Sequence, residues 1–263
     1  MLHAISWEVI VMLVVSGIMV GFVNTLAGGA TIISITTFMV LGMPLHAANG
    51  TNRIPVFFAN LSASANFLRN RMLDVKLGLK LAIPAIVGNL LGSQVAVAVD
   101  ETVIKICLGA VLVAILVFMA FSTEKRLKRS AGQGIRVRPI DYFWFLLIGF
   151  YGGYIYVGIG YMVLAVTLMS MRMDIITANA IKNFVLLVSM PFSMVVFMLH
   201  GEVNYTFGLI HAAGNILGAW LASQYAIGWG VKFLRLLLIV VIILSLADIA
   251  GVISLHDMIK SVI

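Results

Sequence analysis

Charge is scarce in this chain. Only 10% of its 263 residues are Asp, Glu, Lys or Arg, against about 25% in an ordinary soluble domain. So few ionic groups cannot wet the surface of a water-soluble globule of this length. Cysteine is scarcer still. The single Cys107 excludes an intramolecular disulfide and any cysteine-based metal cluster, and it reads as a small core residue. The chain begins with no basic stretch and has no small-residue cleavage site, so no cleavable signal peptide is expected. The HExxH metal motif, the GxxxxGK[ST] phosphate loop and any nucleophile triad are all missing, which leaves an enzyme or an ATP-driven pump without support. No cofactor and no metal is expected. The 15 methionines are scattered without clustered His or Cys partners, so they read as flexible packing rather than a copper path.

Apolar residues make up 62% of the chain. Runs at 5–23, 77–99, 103–121 and 234–252 are each long enough to cross about 30 Å of hydrocarbon. They are solidly apolar rather than alternating, which excludes a β-barrel. The expected class is an all-α polytopic membrane protein embedded in the lipid bilayer. The net charge of +7 does not mark a nucleic-acid partner, because the cations collect in short loops. Arg69, Arg71, Lys76 and Lys80 bracket one loop. Lys125, Arg126, Lys128, Arg129, Arg136 and Arg138 fill residues 122–141, and Lys232 and Arg235 flank a third. The positive-inside rule assigns these loops to the cytoplasm. Asp100, Glu101, Glu202 and both termini then lie outside. Each half crosses the membrane an odd number of times, so the second half enters inverted.

Three motifs recur in the same order. GFVNTLAGGATI (21–32) parallels GFYGGYIYVGIGYM (149–162), AANGTNR (47–53) parallels TANAIKN (177–183), and GNLLGS (88–93) parallels GNILGA (214–219). They divide the chain into a first transmembrane repeat (1–121), a basic cytoplasmic linker (122–141) and a second repeat (142–263). Inverted-topology repeats with broken or re-entrant helices place substrate sites where the halves meet. The breaks are expected at Gly28 and Gly29, and at Gly158 and Gly160, each with non-helical backbone. The pieces that follow, 31–41 and 162–171, are too short to span. Gly88, Gly92, Gly214 and Gly218, at i, i+4 spacing, read as close helix packing instead.

A GF…AGG opening, the Gly-Thr-Asn-Arg segment at 50–53, a basic central loop and a looser second copy with Gly158-Ile-Gly160 resemble the TauE/SafE family of membrane permeases. The resemblance spans nearly the whole chain. It implies secondary export of a small sulfur-containing oxyanion, such as sulfite or a sulfonate, across the bacterial inner membrane. An uptake permease of the same fold and a structural subunit of a membrane complex are the alternatives.

The polar residues fit an anion. Thr51, Asn52, Arg53 and Pro55 have the chemistry of a helix start, where free N–H groups meet a guanidinium fork. In the second copy Asp174 or Thr177 can cap, and Lys182 follows. The expected substrate-binding set is Asn49, Thr51, Asn52, Arg53, Asn179, Lys182 and Asn183, with Gly28, Gly29, Gly158 and Gly160 shaping the breaks. Two cations would then share one anion; the bland alternative is that both snorkel to an interface. His211 lies inside an apolar segment, where it could titrate during proton or ion coupling, or serve as a hydrogen-bonded structural residue. Asn89 and Asn215 occupy matching positions and are expected to bridge helices. The oligomeric state is left open, with a homodimer as the candidate.

Overall fold

The computed structural model describes residues 6–26, 29–121 and 135–225, together with positions 243 and 247. Gly28, most of the basic linker, the third cationic loop at Lys232 and Arg235, and Asp248 lie outside the described residues.

All regular structure among the described residues is helical: α1 (Trp7–Leu26), α2 (Thr31–Val40), α3 (Leu45–Thr51), α4 (Arg53–Arg69), α5 (Val75–Ala98), α6 (Glu101–Phe121), α7 (Pro139–Tyr154), α8 (Ile159–Ala165, continued by a π-turn over Val166–Ser170), α9 (Ile175–Leu199) and α10 (Tyr205–Tyr225). Three of these, α1, α5 and α9, are long and apolar enough to cross a membrane. α2 has 10 residues and reaches only about 15 Å, half of the hydrocarbon thickness. α8 with its π-turn is similarly short, so each opening region is a long helix, a break and a half-length helix.

Local chemistry sets the ends. Pro139 occupies the first turn of α7, where its missing N–H costs nothing, and the Asp141 carboxylate accepts the Arg138 N–H at 2.7 Å. Asp174 caps α9, its carboxylate accepting the N–H groups of Ile176 and Thr177, each at 3.0 Å. Asp74 does the same for α5 through the Leu77 N–H.

Packing is arranged for lipid. α5 turns Leu79, Ile83, Val87 and Leu91 outward, while Gly78, Leu81, Ala85, Gly88 and Gly92 are buried. Helices in hydrocarbon gain nothing by hiding leucine, so close approach of small residues holds them together. α5 lies against α7 and α10 against α1 through the expected glycines. A Cβ on Gly88 would sit 2.0 Å from the Leu146 carbonyl oxygen, and one on Gly214 would sit 2.2 Å from that of Val14. In the motif alignment of Gly21 with Gly149, position 146 falls opposite 18, not 14. Gly92 against Phe150 and Gly218 against Ile18 show the same displacement. The two matched crossings therefore differ by one helical turn, about 6 Å along the axis.

Candidate functional site

The expected helix start at Arg53 is different in the structure. Asn52 has helical backbone, with φ −61° and ψ −18°, and makes no side-chain cap. Its N–H donates to the Ala48 carbonyl at 3.0 Å, and the Val56 N–H donates to the Asn52 carbonyl at 3.3 Å. α3 supplies the acceptors that a true helix start would lack, so no free N–H cluster opens there. In the second copy the start lies at Ile175, and Lys182 follows two turns later, inside α9.

Both cations are fully buried, and each points at the end of a helix in the other half. Arg53 donates from Nη1 to the Gly152 carbonyl (2.6 Å) and from Nη2 to the Gly153 carbonyl (2.9 Å), at the last turn of α7. Further bonds reach Ser193 Oγ (3.4 Å) and Asn49 Oδ1 (3.3 Å). Asn49 itself donates to the Tyr154 carbonyl at 2.9 Å. Lys182 Nζ donates to the carbonyls of Asn24 (3.0 Å) and Thr25 (2.8 Å), at the last turn of α1, and to Asn179 Oδ1 (2.9 Å). Aligning Gly21 with Gly149 matches Asn24 to Gly152 and Thr25 to Gly153. Each cation thus closes on the carbonyls that face the break of the opposite half, where the negative end of a helix dipole favours it. Among the described residues no carboxylate pairs with either cation.

The breaks follow. Asn24 stitches the first: its Oδ1 accepts the Ala30 N–H at 2.8 Å and its Nδ2 donates to Thr31 Oγ1 at 3.1 Å. Gly29 is non-helical, and a Cβ there would come 2.2 Å from the Tyr161 ring. In the second break Gly158 is left-handed, with φ +74°. Gly160 is not part of that break; it lies in the first turn of α8, because the chain needs only Gly158 to reverse before the helix starts. Tyr156 takes φ +70°, a strained value for a non-glycine residue. Its ring stacks 5.2 Å from the Arg53 guanidinium carbon, and Phe197 covers the same group at 4.9 Å.

Between the breaks lies a central cavity of about 10 Å³, lined by Asn24, Thr25, Thr31, Asn60 and Tyr156, with apolar Val56, Ala59, Ile159 and Leu186. That is room for about one water. Asn60 Nδ2 donates to the Tyr156 hydroxyl at 3.3 Å. The buried Thr25 Oγ1, Asn52 side-chain amide and Arg53 Nε have no hydrogen-bond partner. Asn183 bonds back to the Asn179 carbonyl, and Thr51 Oγ1 accepts the Asn204 N–H, so neither faces the cavity in this arrangement. Asn215 bonds back to the His211 carbonyl rather than bridging helices, and the Asn89 amide has no partner. His211 ties α10 to both neighbours: Nδ1 lies 2.8 Å from the Leu13 carbonyl and Nε2 lies 2.9 Å from Ser34 Oγ.

The family model described as sulfite exporter TauE/SafE matches residues 13–249. The chain belongs to the TauE/SafE family. It is a multi-pass membrane transporter. It is 30% identical to the probable membrane transporter protein ORF9 of a Sinorhizobium species over 241 residues, 90% of each chain. It is 29% identical to a probable membrane transporter protein of Haemophilus influenzae, over 90% of this chain and 92% of that one. A more distant relative is YunE of Bacillus subtilis, also a probable membrane transporter protein, at 23% identity over 81% of this chain and 86% of the relative. No solved structure matches the chain significantly.

Sequence reasoning found both cations of this TauE/SafE transporter but not what they hold. Backbone carbonyls carry no residue signature. Asn24, Thr25, Asn60 and Tyr156 were also missed; the alignment of Asn24 with Gly152 was the one available signal.

Proposed function

We propose that this TauE/SafE protein is a secondary transporter that exports a small sulfur oxyanion, such as sulfite or a sulfonate, across the bacterial inner membrane by alternating access between two inverted repeats, residues 1–121 and 142–263. The observation that carries this reading is the reciprocal pair of buried cations flanking a central cavity whose wall includes the unpartnered Thr25 hydroxyl. Two buried cations with which no carboxylate pairs among the described residues suit an anion, and the TauE/SafE model is itself described as a sulfite exporter.

The chemistry is an exchange. An oxyanion reaching the cavity offers Lys182 or Arg53 a negative charge together with hydrogen-bond acceptors, where the carbonyls they hold offer acceptors alone. A cation that turns to the anion releases the helix end it was holding. Binding is thereby coupled to the freedom of α1 or α7, which alternating access needs. Asn49, Asn179 and the breaks at Gly29 and Gly158 position the two cations, and Asn183 and Thr51 tie the joints behind them. Thr25, Asn60 and Tyr156 complete the wall. The one-turn difference between the matched glycine crossings supports the same reading, since alternating access requires the two halves to be unequal at any moment.

A scaffold subunit has no use for broken helices and buried cations in lipid. The two readings separate in a thermal-stability screen of the purified protein with sulfite, sulfate, thiosulfate and small sulfonates. Stabilisation by at least one of these anions, over chloride at equal ionic strength, is expected; a scaffold responds to none.

A further inference from the structure

The polar residues of α4 and α9 repeat one spacing. Arg53, Asn60 and Ser64 on α4, and Lys182, Ser189 and Ser193 on α9, are all buried and lie seven and eleven residues apart, on one helical face in each case. The two helices run antiparallel with these faces together. Arg53 meets Ser193, Asn60 and Leu186 share the central cavity, and Asn70 and Ile176 share a second cavity at the Arg69 end of α4. Each step along α4 is matched by a step back along α9. That register puts Ser64 level with Lys182 and Phe67 level with Asn179.

The second cavity is about 520 Å³ and also takes in Asn66, Phe67 and Ser223. It is wide enough for a hydrated oxyanion, whereas the central cavity is not. From Asn60 to Phe67 the two are separated by seven residues of α4, about 10 Å. Within that gap lies Ser64, whose buried hydroxyl has no partner. Phe67 is only 2% exposed, lies at the edge of the larger cavity and is the next residue on the same face after Ser64.

We propose that the polar seam between α4 and α9 is the substrate's route from the cavity at the Arg69 end to the central cavity, and that the Phe67 ring is the side chain that closes it. The seam supplies hydroxyl and amide donors at each level and one cation, Lys182, midway. Such a ladder lets an oxyanion shed water stepwise without meeting a single deep trap. The aromatic ring bars the way while the seam is closed. The identity of the solute rests on the function proposed above; the route and its closure do not.

The test uses full-length protein in proteoliposomes, with Cys107→Ser and Ser64→Cys to provide one thiol on the seam. A small anionic thiosulfonate reagent is added from the face carrying Arg69. Slow labelling is expected with Phe67 in place, because a closed side chain admits reagent only during transient opening. Combining either Phe67→Ala or the milder Phe67→Leu should speed labelling by about tenfold, and sulfite should slow it again. Equal labelling rates with Phe67, Leu and Ala at this position would overturn the proposal. If Phe67 gates labelling but the parent protein moves no sulfite and sulfite gives no protection, the gated route stands and the oxyanion reading falls.

Discussion

Arg53 and Lys182 hold matched backbone in opposite halves: Arg53 the carbonyls of Gly152 and Gly153, Lys182 those of Asn24 and Thr25. Arg53 stands on α4 and closes the end of α7, and Lys182 stands on α9 and closes the end of α1. A guanidinium suits two carbonyls at once because its N–H groups fork; an ammonium reaches two by rotation. Arg53→Gln and Lys182→Gln should each leave a protein that inserts and purifies but binds sulfite about ten- to a hundredfold more weakly, the loss expected for one charged hydrogen-bond donor. Arg53→Lys should recover part of that loss, as it keeps the charge but not the fork. Isothermal titration of the three variants checks this. Unchanged affinity in both Gln variants would make the cations purely structural clamps.

Topology is tested by labelling. With Cys107→Ser as background, single cysteines at Ser130 and Asn204 should react with an impermeant maleimide from opposite faces of the membrane. Reaction of both from the same face would remove the inverted relation of the halves.

Asp174 gives a prediction on stability. Partial burial alone would raise its carboxyl pKa, but bonds from Thr177 and from the Ile176 and Thr177 N–H groups outweigh that and hold it below the usual carboxylate value. A carboxyl depressed in the folded state stabilises above the unfolded pKa, near 4, and that contribution is lost as pH falls through the folded value. Asp174→Ala should cost about 1 kcal/mol at neutral pH. The gap from wild type should narrow on acidification below about pH 4, read by thermal melting in detergent.

His211 reads as structural in this geometry. A neutral ring satisfies both nitrogens, donating to the Leu13 carbonyl and accepting from Ser34, while Phe38 packs edge-on at 5.2 Å. His211→Ala should lower stability by about 1–3 kcal/mol through the stranded partners, with the pH profile of transport unchanged. A profile displaced along the pH axis would instead make His211 a coupling residue.

How much of this was legible in the sequence depends on whether a side chain carries the signal. The spans at α1 and α5, the half-length helices after each break and the Asp174 cap could be read from apolar length, glycine and capping chemistry, while the run at 234–252 lies outside the described residues. The joint at Asn52 could not. Thr51, Asn52 and Pro55 look like a helix start, and only the preceding turn of α3, from Leu45, shows that their backbone is already helical. Gly160 was misplaced because one left-handed glycine, Gly158, suffices for the reversal. The cations' acceptors are main-chain oxygens, invisible to residue patterns. The cavity residues Asn60 and Tyr156 come together only when α4 meets the second break.

The most direct measurement is sulfite efflux from proteoliposomes loaded with the anion, comparing wild type, Lys182→Gln and protein-free vesicles. Saturable efflux by wild type is expected, with Lys182→Gln losing most of it while remaining inserted. Efflux no faster than in protein-free vesicles, for sulfite and for small sulfonates alike, would contradict the assignment of this TauE/SafE transporter to sulfur oxyanions.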